Sequence, residues 1–525
     1  MASYFRAAAI TMLFVLLVHP VFSDTSAPAA TITAISTSDS SFHVFAPGQP
    51  FSFTLTYSGS GVTGYQWVDW RGATIGLPVN VSGLSFTVTS PNNKPLKQGY
   101  YGLRLLPEGT VIQPGGRKEL GFAVLLKFTG TAPQTSPFGM VHAAMNDPYL
   151  QFAWTKTTWT HPFWKWDTAS NVGTFDKTGW AASEQHVLDA GKTDLPVISD
   201  APWGLNPANV PGITEFASDV YSGTPNLPAA EWGIEEAHNG WDTAASVKFF
   251  ENLAVELKAV RAAANSSGAT NTKLVQQIEG ISEHDPAKVD CTRAFFKSDV
   301  LQYVDVLSLH PYAWMDFNSP DTWMDTFLKA IEQARASSIK PSLPIWFTEC
   351  GCVVDDAGLG PLKMQDGGHP ISGLSRADGA NYLVKAHVIA FSDGVSRIYW
   401  YRYQDWHDDS TNGEEHFGLR DVFGYPKPQY SAYANLVNVI GSKRFVTSSE
   451  TKDSIHIYTF AGSGTSCIVA WRDSETPSPV QCALSEFATN GKITSITDTV
   501  GSPITSFKGK IQIDDSPTFL IATDR

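Results

Sequence analysis

From about residue 135 to residue 445 the sequence alternates short apolar runs with longer stretches of helical periodicity, and this alternation restricts the fold more than any other feature. Leu195-Pro-Val-Ile-Ser-Asp200, Leu274-Val-Gln-Gln-Ile278, Tyr303-Val-Asp-Val-Leu-Ser-Leu309, Ile345-Trp-Phe-Thr348 and Arg397-Ile-Tyr-Trp-Tyr401 predict parallel strands. Ala244 to Ala264 and Trp323 to Ala336, with apolar residues at helical spacing, predict helices between them. A segment of this length suits one closed (β/α)8 TIM barrel of mixed α/β class. A doubly wound open sheet competes, but no glycine-rich phosphate loop follows an early strand.

At 525 residues the chain is too long for the barrel alone. Before it, Phe51-Ser-Phe-Thr-Leu-Thr-Tyr57, Leu84-Ser-Phe-Thr-Val-Thr89 and Gly99 to Leu106 alternate with period two between Gly, Pro and Asn. After it, Ser454 to Phe460, Cys467 to Trp471 and Phe519 to Ala522 do the same. The expected organisation is a signal peptide over residues 1–23, an N-terminal β-sandwich over 24–130, the barrel over 131–445 and a C-terminal β-sandwich over 446–525.

The signal peptide rests on the single basic residue Arg6, the apolar run from Ala7 to Val18, and Val21 and Ser23 before the expected cleavage point. No later stretch approaches the roughly 18 apolar residues of a membrane span, so a secreted, extracellular protein with no membrane partner is expected. The net charge of −14 argues against nucleic acid and anionic membrane surfaces. Export makes the five cysteines candidate disulfide partners, and spacing suggests Cys467 with Cys482, while Cys291, Cys350 and Cys352 leave one thiol over. Cys350 and Cys352 without a second pair do not make a metal site, and no metal or cofactor is expected. Asn80 and Asn265 head glycosylation sequons. The 12% aromatic content, with 16 Trp, exceeds ordinary core needs and suits sugar stacking. Trp154, Trp159, Trp164 and Trp166 either line a glycan cleft or pack beneath the barrel mouth.

A barrel of this kind carries its active site at the carboxyl ends of its strands. Three strand ends stand out: Ala230-Glu-Trp-Gly-Ile-Glu-Glu-Ala-His-Asn239, Ser308-Leu-His-Pro-Tyr312 and Pro344-Ile-Trp-Phe-Thr-Glu-Cys-Gly351. Retaining glycosidic cleavage needs two carboxyl groups about 5 Å apart, one attacking the anomeric carbon and one exchanging a proton. Two strand ends on one rim provide them.

On these residues the chain resembles clan A glycoside hydrolases, and within them family 39 and its relatives. Thr348-Glu-Cys-Gly351 is similar to the strand-seven segment carrying the nucleophile, Val304 to Tyr312 to strand six, and Gly173-Thr-Phe-Asp176 through Trp203 to strands two and three. Tyr399 to Asp405, Phe417-Gly-Leu419 and Pro426-Lys-Pro-Gln-Tyr-Ser-Ala-Tyr433 are similar to the strand-eight region and last helix. The resemblance implies Glu349 as nucleophile, substrate contacts at His310, Tyr312, Trp400, Trp203 and Asn239, and a carbohydrate substrate cleaved at a β-glycosidic bond by double displacement. Two departures stand against it. The Asn-Glu-Pro element of strand four is absent, so the acid/base falls on Glu235 in one register and Glu236 in the other. The strand-two region, Phe152 to Trp166, has no Arg to place beside the nucleophile. A non-catalytic carbohydrate-binding barrel and a transglycosylase are the alternative readings.

Overall fold

Among the described residues, eight parallel strands form the central sheet: β1 (Phe138–Val141), β2 (Trp154–Lys156), β3 in two pieces (Thr193–Asp194 and Val197–Ile198), β4 (Ala229–Trp232), β5 (Lys273–Gln277), β6 (Val306–Leu309), β7 (Ile345–Cys350) and β8 (Val395–Trp400). The first piece of β3 pairs with β2 and the second with β4, so the sheet closes into a barrel. The interruption falls at Leu195-Pro196. Proline offers no N–H to a ladder, and its carbonyl accepts from the Glu231 amide at 2.9 Å. The computed structural model describes residues 29–36, 43–48, 51–58, 61–113, 117–130, 132–167, 172–198, 210–233, 243–278, 286–312, 319–354, 362–363, 370–371, 373–407, 412–462, 464–487, 491–506 and 508–523. The expected signal peptide lies outside these residues.

Helices α1 (Lys177–Asp189), α2 (Val210–Gly223), α3 (Thr243–Ser266), α4 (Pro286–Lys297), α5 (Met324–Ala336), α6 (Arg376–Ser392) and α7 (Pro428–Ile440) surround the barrel. α5 shows why: Met324, Phe327, Leu328 and Ile331, at helical spacing, are its buried residues. Residues 142–153 join β1 to β2 without a helix. α6 is different. From Gly379 to Ala390 every residue is buried, because the C-terminal sandwich covers its outer face.

Two sandwiches accompany the barrel, and they touch each other where Arg71 of the first pairs with Asp514 of the second at 2.7 Å. The N-terminal one packs a sheet of Ser85–Thr89, Ser52–Ser58, Ala29–Ser36 and Val111–Gln113 against a sheet ordered Val44–Phe45, Leu120–Val124, Gly99–Leu106, Gly64–Asp69 and Thr74–Asn80. The C-terminal one has Arg444–Glu450, Ile455–Gly462, Thr465–Arg472, Thr518–Thr523 and Lys492–Thr497 over the hairpin-like pair Val480–Ala483 and Lys510–Ile513. No helix among the described residues is long and apolar enough to cross a membrane.

The expected Cys467–Cys482 disulfide is corrected by this packing, since both are free thiols. Along Thr465–Arg472 side chains alternate between two faces. Cys467, Val469 and Trp471 enter the core shared with the barrel, whereas Ile468 and Ala470 face the sandwich interior with Cys482 and Ile511. Parity puts the two thiols on opposite sides of one strand. Asn80 and Asn265 are exposed.

The N-terminal sandwich grips the loop after β8. Residues 402–405 and 417–421 exchange backbone bonds as a narrow ribbon, Leu419 N–H to Arg402 O at 2.9 Å and Asp405 N–H to Arg420 O at 3.0 Å. At its far end Arg117 pairs with Asp421 at 2.5 Å, both nearly enclosed, and His43 stacks on Tyr425 with ring centres 4.1 Å apart. Gly121 makes this approach possible, because a Cβ there would collide with the Pro426 carbonyl oxygen.

Candidate active site

Inside the barrel the lowest layer is aromatic. Trp154 and Trp346 lie 5.6 Å apart between ring centres, with the Arg397 guanidinium 3.8 Å over one ring and 4.3 Å over the other. Thus Trp154 packs beneath the mouth and does not line a cleft. One turn of the strands higher, the layer becomes polar: Lys156 from β2, Glu231 from β4, Ser308 from β6 and Thr348 from β7, each 0% exposed.

Lys156 organises this layer. Its Nζ lies 2.7 Å from Glu231 Oε2 and 3.0 Å from Glu349 Oε1, so one ammonium bridges two carboxylates. A lone buried ammonium would cost several kcal/mol. Two carboxylates offset that cost. Burial alone would lower the Lys156 ammonium, but Glu231 and then Glu349 raise it above its ordinary value. Burial would likewise raise the Glu231 carboxyl, yet Lys156 and His310 hold it below its ordinary value. Glu231 Oε1 also accepts from Ser308 Oγ at 2.6 Å and Thr348 Oγ1 at 2.5 Å. Glu231 is therefore a fixed anion. It has no proton to donate to a leaving group.

Glu349 sits above this layer, 7% exposed. Two consecutive residues of an ideal strand point to opposite faces, yet Thr348 and Glu349 both reach inward. The register explains it: Phe347 pairs with Ile398 and Cys350 with Trp400, so three steps on β7 match two on β8. This β-bulge re-aims the Glu349 side chain over the barrel axis. Gly351 then passes close under the next strand, where a Cβ would collide with the Tyr401 carbonyl oxygen. Glu349 Oε2 accepts from the Tyr312 hydroxyl at 2.8 Å, with His310 Nδ1 at 3.7 Å. His310 Nε2 lies 3.0 Å from Thr348 Oγ1 and 3.4 Å from Lys156 Nζ.

The sequence-derived candidates divide accordingly. Glu349, His310 and Tyr312 converge. Trp400 is corrected: it is 1% exposed and packs outward on α6, 5.5 Å from the His387 ring and 6.4 Å from Tyr382. Strand alternation turns residue 400 away from the axis, and the rim is reached by Tyr401, whose ring is 6.1 Å from Tyr312. Glu235, Glu236, Asn239 and Trp203 lie outside the described residues, as do the side chains of Trp164 and Trp166.

Lys156, Glu231 and His142 were missed in the sequence. Lys156 supplies the cation for which an Arg was sought, and its signal is a single charge closing the apolar run Phe152-Ala-Trp-Thr155. His142, directly after β1, stands 5.4 Å from the Trp406 ring and 6.3 Å from those of Trp159 and Tyr401. Burial, then Arg402, lowers the His142 imidazole to about 4, keeping it neutral. His142, Thr157, Thr158, Trp159, Ser183 and Trp406 help enclose a cavity of about 460 Å³.

Beneath it, Asp194 at the end of the first piece of β3 accepts the amide N–H groups of Thr157 and Thr158 at 3.2 Å each, fixing the backbone that follows Lys156. Glu184 of α1 hydrogen-bonds Asp194, and burial, reinforced by the Asp194 charge, raises the Glu184 carboxyl well above the carboxylate range. The folded protein thus holds a proton that the unfolded chain releases near the ordinary carboxylate value, so this group's contribution to stability declines as pH rises above that value. We expect the Tm of the parent relative to that of Glu184→Gln to fall between about pH 5 and about pH 8 in scanning calorimetry. Parallel slopes would refute the assignment. Other groups add slopes common to both proteins, because burial also raises Asp393 to about 7 and Asp498 to about 6 and lowers His142 to about 4, with opposite sign.

No protein-family model matches the sequence, nor does any curated protein. Among solved structures, a family 39 glycoside hydrolase from the gut symbiont Bacteroides cellulosilyticus is 16% identical, with a TM-score of 0.63, covering 93% of this chain and 100% of that one. A family 30 endoxylanase from Clostridium papyrosolvens (13% identity, 76% and 97% coverage, TM-score 0.47) and a family 51 alpha-L-arabinofuranosidase from Bifidobacterium longum (10%, 69% and 82%, 0.45) are more remote. At this identity the family 39 likeness establishes a shared fold, flanking sheets included.

Proposed function

We propose that the protein is a retaining glycoside hydrolase that cleaves β-glycosidic bonds of extracellular poly- or oligosaccharides. The observation carrying this reading is Glu349: a carboxylate re-aimed by a bulge at the end of β7, nearly enclosed, and fixed from two sides by Tyr312 and Lys156. Such a group can attack an anomeric carbon and cannot rotate away from it. The name of the family 39 neighbour, whose fold the chain shares, supports the same chemistry.

In this reading Glu349 forms the glycosyl-enzyme, and a second carboxyl protonates the leaving oxygen and then activates water. Glu231 is not that group, because Lys156 keeps it ionised. The role belongs to Glu235 or Glu236, which follow β4 two and three residues beyond Gly233. Tyr312 and Lys156 stabilise the Glu349 carboxylate as it is released by water in the second step. Secretion, with glycans at Asn80 and Asn265, belongs to the same reading.

The test is covalent trapping. A 2-deoxy-2-fluoro-β-glycoside with a reactive leaving group should label Glu349, identified by peptide mass spectrometry, in a panel of gluco, galacto, xylo and glucurono configurations. Hydrolysis without label at Glu349, or label on another carboxylate, would overturn the assignment.

A further inference from the structure

The loop after β8 carries a charge that the mechanism above does not use. Arg402 is 4% exposed and shares a side-chain hydrogen bond with Tyr401, but among the described residues its Nε and Nη1 have no hydrogen-bond partner. The other buried arginines, Arg117, Arg397 and Arg420, also leave Nε without a partner but use their terminal nitrogens: Arg117 pairs with Asp421, Arg420 donates to the Tyr403 hydroxyl, and Arg397 lies between two indoles and reaches the Gln134 carbonyl. The acidic groups near Arg402 are engaged elsewhere. Asp405 is 2.8 Å from Lys427, and Glu415 accepts the His407 amide at 2.8 Å. Among the described residues no carboxylate lies within ion-pair distance of Arg402. In a chain of net charge −14, an unmatched buried cation is a cost without a structural return.

Its surroundings adjoin the cleft through Trp406. The guanidinium lies 3.6 Å from the centre of the Trp406 ring, and Trp406, at 46% exposure, is a wall of the cavity shared with His142 and Trp159. Tyr401, 5.7 Å from the guanidinium, connects it to Tyr312 and so to Glu349. Burial lowers the Arg402 guanidinium to about 10, which still leaves it charged at any ordinary pH.

Resting on the glycosidase reading, we infer that the cleft accepts a sugar bearing an anionic group, a uronic acid carboxylate or a sulfate ester, with Arg402 as its counter-ion and Trp406 as the adjoining wall. An anion there completes the guanidinium's hydrogen bonds, and the indole offers an apolar face to the ring that carries it. Neutral sugars leave the cation unmatched.

The experiment uses the full-length Glu349→Gln protein, which binds without turnover, and follows Trp fluorescence on titration with three probes: methyl β-D-glucuronide, methyl 6-O-sulfo-β-D-glucoside and methyl β-D-glucoside. At least one anionic glycoside should bind about tenfold or more tightly than the neutral one, equivalent to about 1.4 kcal/mol, with added salt weakening only the anionic binding. Whichever anionic probe binds better identifies the carboxylate or the sulfate as the group recognised. Arg402→Met should bring the ratio near unity and Arg402→Lys should keep part of it. If the Met variant fails to fold, the parent ratio and the Lys variant decide. Equal or tighter binding of the neutral glucoside, no binding of any probe, or a ratio that survives Arg402→Met overturns the inference. An Arg402-dependent preference in a protein that hydrolyses nothing would sink the hydrolase reading and keep this one. Hydrolysis of neutral glycosides with no anionic preference would do the reverse.

Discussion

Glu349→Gln is expected to lower kcat/KM by about 10⁴-fold or more on every responsive glycoside, while the thermal unfolding profile stays that of the parent protein. The amide preserves the shape of the side chain and can still accept from Tyr312, so the packing of the β7 end is kept. What is lost is the nucleophile. Lys156 retains Glu231 as counter-ion, which is why the fold tolerates the change. Steady-state kinetics on β-glycosides of the gluco, galacto, xylo and glucurono configurations, with thermal unfolding as the control, check this. Near-normal turnover by the variant would remove Glu349 from the mechanism.

Lys156→Met is expected to damage both stability and turnover, through different partners. It strands Glu231, a fully enclosed carboxylate, without its counter-ion, a change that costs about 3–5 kcal/mol. It also releases one of the two groups that orient Glu349, which should lower kcat by about 10²-fold or more. Adding Glu231→Gln removes the stranded charge, so the double variant should regain most of the lost stability in denaturant unfolding without regaining activity. Recovery of both together, or of neither, would show that Lys156 does not hold the two carboxylates in the separate ways described.

The barrel was legible because its strands and helices announce themselves by a change of hydrophobic period, and Glu349 because a single carboxylate closes an otherwise apolar strand. Its partners were harder to see for a physical reason. Lys156 and Glu349 are 193 residues apart, and a lysine among threonines reads locally as a solvated edge. Only barrel closure brings β2, β4 and β7 around one axis. The errors were errors of parity. One step along β8 separates Trp400, which faces α6, from Tyr401, which reaches the rim, and one step along Thr465–Arg472 separates Cys467 from the face that holds Cys482. Neither the β7 bulge nor the unmatched Arg402 leaves a local mark, since each depends on which neighbours arrive from elsewhere.

The grip of the N-terminal sandwich on the ribbon after β8 bears on the portability of the catalytic unit. The ribbon carries Arg402 and leads directly to Trp406, while its far end is fastened to Arg117 and His43. A cut near residue 130 would therefore leave Asp421 enclosed without its cation and the cleft wall without an anchor. The boundary that separates two folds in the sequence does not separate two working parts, and the smallest transplantable form of this barrel includes the sandwich that precedes it.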